Sequence, residues 1–280
     1  MTAPTPDGRF VTRMCLIAFA WNAHPEYRLV MVANRDEYHA RPTAPLAPWV
    51  DAPTVLGGRD LKEGGGWLAV DASRPRLAAV TNVREPPPAT PKRSRGGLIR
   101  EYLTKGGCAA SFAEQHRIDG DEFAGFNLLV WDGDELIYET NRPEPAWTAV
   151  APGCHGISNG QFDPPWRKTR TLTQRLADWL GAQSAASGAT PDLAPLFAML
   201  ADETKAAEDE IPETWVGRDR ERSLSSAFIR LPGYGTRASS VILIRHDGSG
   251  VFAERSFDEH SGLVGERQED FRYGAAGGCA

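Results

Sequence analysis

The sequence contains no run of about 18 apolar residues, which excludes a membrane-spanning helix. It has only four cysteines (Cys15, Cys108, Cys154 and Cys279), none in a CxxC or Cys/His spacing. That excludes a zinc finger or ribbon and, at this length, points to a reducing compartment. The histidines, His24, His39, His116, His155, His246 and His260, form no H-E-x-x-H or similar pattern, so no metal site is expected. Positive charge is also scarce: a net charge of −6 removes any general attraction to nucleic acid or an anionic membrane. The short basic run Lys92-Arg93-Ser94-Arg95 lies in a Pro-rich loop and reads as a solvated patch. Gly57 to Gly66 lacks the G-x-x-x-x-G-K-[ST] pattern of a phosphate cradle, and no G-x-S-x-G supports a serine triad. The first thirteen residues have no apolar h-region, so they are not a secretory signal. They read as a disordered tail or as a start assigned too early. What remains is a chain 41% hydrophobic and 24% charged, the balance of an ordinary soluble globular protein, expected in the cytoplasm.

The apolar pattern is mostly short. Leu16 to Trp21 and Arg28 to Ala33 read as strands joined by a loop at Asn22 to Glu26. Arg41 to Thr54, with four prolines, reads as an irregular excursion, and Gly57 to Gly66 as a short loop. Trp67 to Val70 and Leu77 to Val83 follow as strands. Two helices are expected at Leu98 to Thr104 and Ala109 to Gln115, broken by Gly106-Gly107. Phe126 to Trp131 and Glu135 to Thr140 form a hairpin about Asp132-Gly133. Trp147 to Val150 and Gly156 to Ser158 read as further strands.

Leu172, Leu176, Trp179 and Leu180 mark one face of a helix from about Trp166. A second helix, with Leu193, Leu196, Phe197 and Leu200 on one face, is capped by Thr190-Pro191. Glu203 to Arg222 is charged and expected to be exposed. Ser225 to Arg230, Ser239 to Arg245 and Val251 to Phe257 complete the strands, the last two as a hairpin about Asp247-Gly248. There is no βαβ alternation and no long repeat, so the class is α+β, an antiparallel layered domain with helices on the sheet faces. We expect one domain over 14–260, preceded by the 1–13 stretch and followed by a flexible tail over 261–280.

Chemistry concentrates near the first strand. If Met14 were the initiator and were removed, Cys15 would carry a thiol beside a free α-amine. An α-amine titrates near 7.7–8.0, so it can accept the thiol proton at neutral pH. A guanidinium such as that of Arg35 would favour the thiolate further. Arg35, Asp36 and Glu37 follow an apolar strand, as a structural ion-pair network or as a clamp on the thiol and amine. Asn82 and Asn159 each end a short strand, as turn residues or as amide donors to an oxyanion. Arg237, in Gly233-Tyr234-Gly235-Thr236-Arg237, puts another guanidinium at a strand start.

In order along the chain stand Met14-Cys15-Leu16-Ile17, Ala33-Asn34-Arg35-Asp36-Glu37-Tyr38, Arg41-Pro42, Gly64-Gly65-Gly66-Trp67-Leu68, Thr81-Asn82 and Gly125-Phe126-Asn127-Leu128. Ile157-Ser158-Asn159, Pro165-Trp166-Arg167-Lys168 and Pro232-Gly233-Tyr234-Gly235-Thr236-Arg237 complete the series. Together they resemble the NRDE, or transport and Golgi organisation protein 2, family from Met14 to about Phe257. The resemblance implies a fold like that of the N-terminal-nucleophile hydrolases, an αββα sandwich of two antiparallel sheets with helices outside. By analogy with penicillin V acylases and bile salt hydrolases, Cys15 would be nucleophile and base on a non-peptide C–N amide. Arg35 with Asp36 or Glu37 would orient it, Asn82 and Asn159 would form the oxyanion hole, and Arg237 would support the site. The family is also implicated in haem mobilisation and in mitochondrial or lipid homeostasis. The partner is therefore a small-molecule amide or, on the alternative reading, haem or another hydrophobic ligand carried without hydrolysis. No cofactor is required for the hydrolase chemistry.

Overall fold

The structure, a computed structural model, describes residues 14–86, 93–183 and 191–273. Its first six strands are β1 (Met14–Trp21), β2 (Tyr27–Tyr38), β3 (Thr43–Trp49), β4 (Ala52–Asp60), β5 (Leu68–Asp71) and β6 (Arg76–Asn82). Helices α1 (Gly96–Lys105) and α2 (Ala109–Ile118) follow, then β7 (Phe126–Trp131), β8 (Leu136–Thr140), β9 (Ala146–Ala149) and β10 (Gly153–Ile157). The last third holds α3 (Arg167–Gly181), α4 (Ala194–Leu200), α5 (Arg218–Ser223), β11 (Arg230–Leu231), β12 (Tyr234–Arg245), β13 (Ser249–Phe257) and β14 (Leu263–Arg272).

Two antiparallel sheets result. The first runs β10-β1-β2-β12-β13-β14, with β11 pairing β12, and the second runs β3-β4-β5-β6-β7-β8-β9. Side chains alternate across a strand, and the sequence uses both faces of β1. Cys15, Ile17, Phe19 and Trp21 join Leu56, Leu68, Leu77 and Leu129 of the second sheet in a core between the sheets. Leu16, Ala18 and Ala20 face outward onto Leu172, Leu176 and Leu180 of α3 and Leu196 and Leu200 of α4. On the far side α1 and α2 cover Ala78, Val80, Leu128 and Ile137. The layers are therefore helix, sheet, sheet, helix. A strand covered on both faces has no polar stripe, which is why β1 reads as a continuous apolar run.

Four expectations change. The Pro-rich stretch 41–54 is not irregular: it supplies β3 and the start of β4. Pro45 and Pro48 are tolerated because β3 is a sheet edge, and its register breaks around both. Gly57 and Gly58 lie inside β4 rather than in a loop. A Cβ on Gly57 would stand 2.7 Å from the Leu68 carbonyl oxygen, so glycine lets β5 close in. Ser225 to Arg230 is a loop reaching only the two-residue β11. The Ser225 and Ser226 hydroxyls bond back to the carbonyls of Arg222 (2.7 Å) and Phe228 (2.6 Å), competing with a ladder. The stretch 261–280 holds β14, an outer strand along β13 whose mostly exposed side chains hid its alternation. The stretches 1–13 and 274–280 and the Thr190 cap lie outside the described residues. No helix among those residues is long and apolar enough to cross a membrane.

Candidate functional site

Strand pairing brings the expected residues to one end of the sandwich. In the β1–β2 ladder Cys15 stands opposite Arg35 and Met14 opposite Asp36. Alternation then divides the Asn34–Glu37 tetrad. Arg35 and Glu37 share the inter-sheet face with Cys15, whereas Asn34 and Asp36 point to the helix side.

On the inter-sheet face the charges are closely paired. Arg35 Nη2 lies 3.5 Å from Glu37 Oε2, and Arg41 Nε is 3.5 Å from the same oxygen. Arg41 Nε also donates to Asp60 Oδ2 at 2.9 Å, and Arg35 Nη1 to Thr43 Oγ1 at 3.2 Å. Arg237 occupies a bulge in β12, between the paired positions Thr236 and Ala238. From there its Nη1 donates to the carbonyls of Tyr38 (3.1 Å) and His39 (3.0 Å), tying down the turn after β2. Burial and the neighbouring Arg35 hold Arg237 below the ordinary arginine range, with Glu37 opposing.

The two sheets are stitched together beside Cys15 by the segment after β10. Ser158 Oγ donates to the Cys15 carbonyl at 3.0 Å, and Thr81 Oγ1 donates to the Ser158 carbonyl at 2.6 Å. Asn159 Nδ2 donates to the Asn82 carbonyl at 2.9 Å, so Asn82 meets it through its main chain. Asn127 of β7 is a further tie. It donates to the Gly160 carbonyl at 2.8 Å and accepts from the Tyr138 hydroxyl at 2.7 Å, holding the same crossing. Asn34 is likewise a tie. Its Nδ2 reaches the carbonyls of Leu200 (2.9 Å) and Ala227 (2.8 Å), while Ser239 Oγ donates to its Oδ1 at 2.6 Å.

The helix side carries a second buried cluster. Thr236 Oγ1 donates to Asp36 Oδ1 at 2.7 Å, whereas Asp36 Oδ2 is buried with no hydrogen-bond partner. Burial raises the Asp36 carboxyl above the usual carboxylate range, with Lys168, Thr236 and Arg35 opposing. Lys168, in the first turn of α3, is only 4% exposed and donates from Nζ to the Leu224 carbonyl at 3.1 Å. Burial and Arg84 push its ammonium below the ordinary lysine range, against Asp36 and Glu221. Sequence reasoning missed Lys168, but it left a signal. It stands four residues before Leu172, in line with Leu176 and Leu180, a lysine in the apolar stripe of its helix.

Met14 closes the end. It is fully buried against Leu224, Ile229 and Tyr234, and Arg84 Nη2 reaches its sulfur at 2.9 Å. Arg84 also pairs with Glu221 and stacks 4.6 Å over Trp166. With Met14 in place, burial, Asp36 and Glu37 push the Cys15 thiol up to about 12, and Arg35 only partly offsets them, which keeps it protonated at neutral pH. Among the described residues no cluster of three or more His, Cys, Asp or Glu side chains is arranged to hold a metal.

Residues 14–259, which contain every part of this arrangement, match the sequence model of the family described as Transport and Golgi organisation 2. The chain belongs to that family. A human Transport and Golgi organization protein 2 homolog is 34% identical over 262 residues, covering 87% of this chain and 93% of its own length. The bovine homolog is 35% identical over 261 residues, with the same coverage. The Drosophila melanogaster Transport and Golgi organization protein 2 is 27% identical over 262 residues, covering 87% of this chain and 92% of its own. In this Transport and Golgi organisation 2 chain the family match opens at Met14, the residue before the candidate nucleophile.

Proposed function

We propose that the protein is a cytoplasmic N-terminal-cysteine hydrolase of non-peptide C–N amides, active once Cys15 is the first residue. The observation that carries this reading is the buried Asp36 Oδ2, an acceptor without a donor, on the residue opposite Met14 and one position from the Cys15–Arg35 pair. A buried carboxylate oxygen without a partner costs about 1–3 kcal/mol, and an α-amine at residue 15 would supply the missing donor. Of the two carboxylates that might orient the nucleophile, Glu37 is already held by Arg35, Arg41 and the Tyr38 amide. Asp36 is the better candidate.

In this reading the neutral amine takes the thiol proton, and the thiolate attacks the amide carbonyl while Arg35 faces the developing charge. Collapse breaks the C–N bond, the ammonium returns its proton to the leaving amine, and a thioester remains. Water then hydrolyses that thioester and regenerates thiol and amine. Asn159, with Asn82 beside it, would stabilise the oxyanion, and Arg237 would fix the turn that carries Glu37 and Arg41.

The test is to express the chain from Met14, confirm by mass that it begins at Cys15, and assay amine release from a panel of N-acyl amides. Turnover lost in Cys15→Ala supports the reading. A chain that begins at Cys15 and turns over no more than Cys15→Ala overturns it.

The carrier alternative draws on no comparable observation. Met14 and Cys15 are packed in the core, and both ring nitrogens of His155 are engaged, by Asp163 at 2.8 Å and the Ala151 carbonyl at 2.9 Å. No step is routed through haem.

A further inference from the structure

We propose that the chamber enclosing Met14 is the acyl subsite of the active chain. Once Met14 is gone, it takes the acyl group of the substrate, a linear, neutral chain of methionine's length with a hydrogen-bond acceptor at the sulfur position. This rests on the reading of Cys15 as an amino-terminal nucleophile and names the class of amide that the nucleophile takes.

Acyl chemistry at a cysteine gives the two groups a common place. While Met14 is present, its carbonyl carbon is bonded to the Cys15 nitrogen. In the thioester the substrate's carbonyl carbon is bonded to the Cys15 sulfur, the C–N bond of the amide having broken as the C–S bond formed. Both attachment points belong to one residue and are bridged by the five-membered ring of an N-to-S acyl shift. An acyl group on the sulfur can therefore reach the space that an acyl group on the nitrogen reaches. Met14 is an image of the acyl chain that replaces it.

The chamber suits such a chain. Met14 has no exposed surface, and Leu224, Ile229 and Tyr234 enclose it, with Tyr38 and Leu231 packed against them. Taking an unbranched side chain out of a packed apolar wall leaves a space that is costly to keep empty and that a ligand of the same shape fills. Beside the sulfur stands Arg84, whose side chain is 3% exposed. Its Nη1 pairs with Glu221, its Nη2 meets the Met14 sulfur at 2.9 Å, and its Nε is buried without a partner. Trp166 stacks 4.6 Å from the guanidinium and holds it from a further side. Loss of Met14 leaves Nη2 as a buried, fixed donor facing the chamber, and a buried donor calls for an acceptor. Glu221 already balances the Arg84 charge, so a thioether sulfur or ether oxygen meets that need without adding a third charge. The hydrolase reading gives Arg84 no other task.

The experiment reads binding without catalysis. Every described element lies at or beyond Met14, so a Cys15→Ala chain expressed from Met14 and processed to begin at residue 15 keeps the whole fold. The probe is 4-(methylsulfanyl)butanamide, which is methioninamide without its α-amine. It is titrated by calorimetry into that chain and into the full-length Cys15→Ala chain, whose retained Met14 is confirmed by mass. The processed chain should bind the probe saturably, at least about tenfold more tightly than acetamide or 3,3-dimethylbutanamide. The full-length chain should not bind it, and Leu224→Phe, which narrows the chamber, should abolish binding in the processed chain. Equal binding by the two chains, no binding by the processed one, no preference over the two comparison amides, or undiminished binding in Leu224→Phe overturns the proposal. Should Leu224→Phe fail to fold, the comparison of the two chains decides. Binding as expected in a protein whose Cys15 form hydrolyses no amide would sink the hydrolase reading and leave the subsite standing.

Discussion

The outer faces of the two sheets each bury a carboxylate under a helix layer, in opposite company. Asp36, on β2, is 2% exposed and has Thr236 on one oxygen and Lys168 nearby. Glu139, on β8, is 1% exposed, its Oε2 has no partner, and burial pushes it up to about 8. Burial alone raises a carboxyl, and a cation beside it opposes the rise. The second sheet therefore carries a carboxyl whose burial nothing offsets, and the first carries one whose burial Lys168, Thr236 and Arg35 partly offset. A buried charge with a partner across two elements marks a candidate site. A buried charge without one marks a cost.

The largest effect should come from changing the chain's first residue on the first sheet. With the full chain, iodoacetamide at pH 7.5 should leave Cys15 unmodified, since its thiol is pushed up to about 12. Exposing Cys15 as the amino terminus should raise the alkylation rate by at least about 100-fold, followed by peptide mass mapping. Equal rates in the two forms would remove the distinction between the sheets.

Next come the two carboxylates, whose neutral isosteres should act in the same direction but by different amounts. Glu139→Gln removes a charge that the fold disfavours. The folded-state value lies above the unfolded one, so proton binding stabilises the fold at low pH, and that contribution is lost as pH rises from about 4.5 through about 8. The variant should match the parent at pH 4.5 and be more stable at pH 9 by on the order of 4 kcal/mol, read from denaturant melts. Asp36→Asn also removes a carboxyl that burial raises, but one whose rise Lys168, Thr236 and Arg35 oppose, so its gain at pH 9 should be smaller than that of Glu139→Gln. A gain in Asp36→Asn as large as that in Glu139→Gln would show that the groups around Asp36 do nothing to offset its burial.

Asn34→Ala removes three side-chain hydrogen bonds from the first sheet and should cost about 2–4 kcal/mol, with no change in the thiol's pH profile. A displaced profile would move Asn34 from scaffold to site. The smallest effect belongs to the exposed Arg255–Glu266 pair between β13 and β14. Arg255→Ala should change stability by no more than about 0.5 kcal/mol in the same melts.

Much of this was legible in the sequence, for physical reasons that also mark the limits. The apolar run of β1 and the two hairpins carry their signal locally, in side-chain alternation and in Asp-Gly turns, and they were placed correctly. So was the Leu172–Leu180 stripe of α3. The edge strands β3 and β14 were hidden because an edge tolerates proline and polar side chains, the very features that argue against a strand. The candidate residues Cys15, Arg35, Asp36, Glu37, Asn82, Asn159 and Arg237 are legible from charge and position. Their division between two faces could not be read without the register of β1 against β2. Lys168 and Glu221 show the harder case. Each lies in a stretch whose other charges are mostly exposed, and each is buried because a partner distant in sequence, the Leu224 carbonyl or Arg84, waits for it.

The chamber around Met14 sets a schedule for the ribosome. Its walls, Leu224, Ile229 and Tyr234, are made about 210–220 residues after the methionine they enclose. At roughly 5–20 residues per second the start of β1 waits on the order of 10–45 s for its lid to be synthesised. Any exopeptidase that is to remove Met14 must work within that interval, because afterwards the residue is fully buried. Were translation to start at Met14, fast elongation or slow excision would leave a folded population with that residue permanently enclosed.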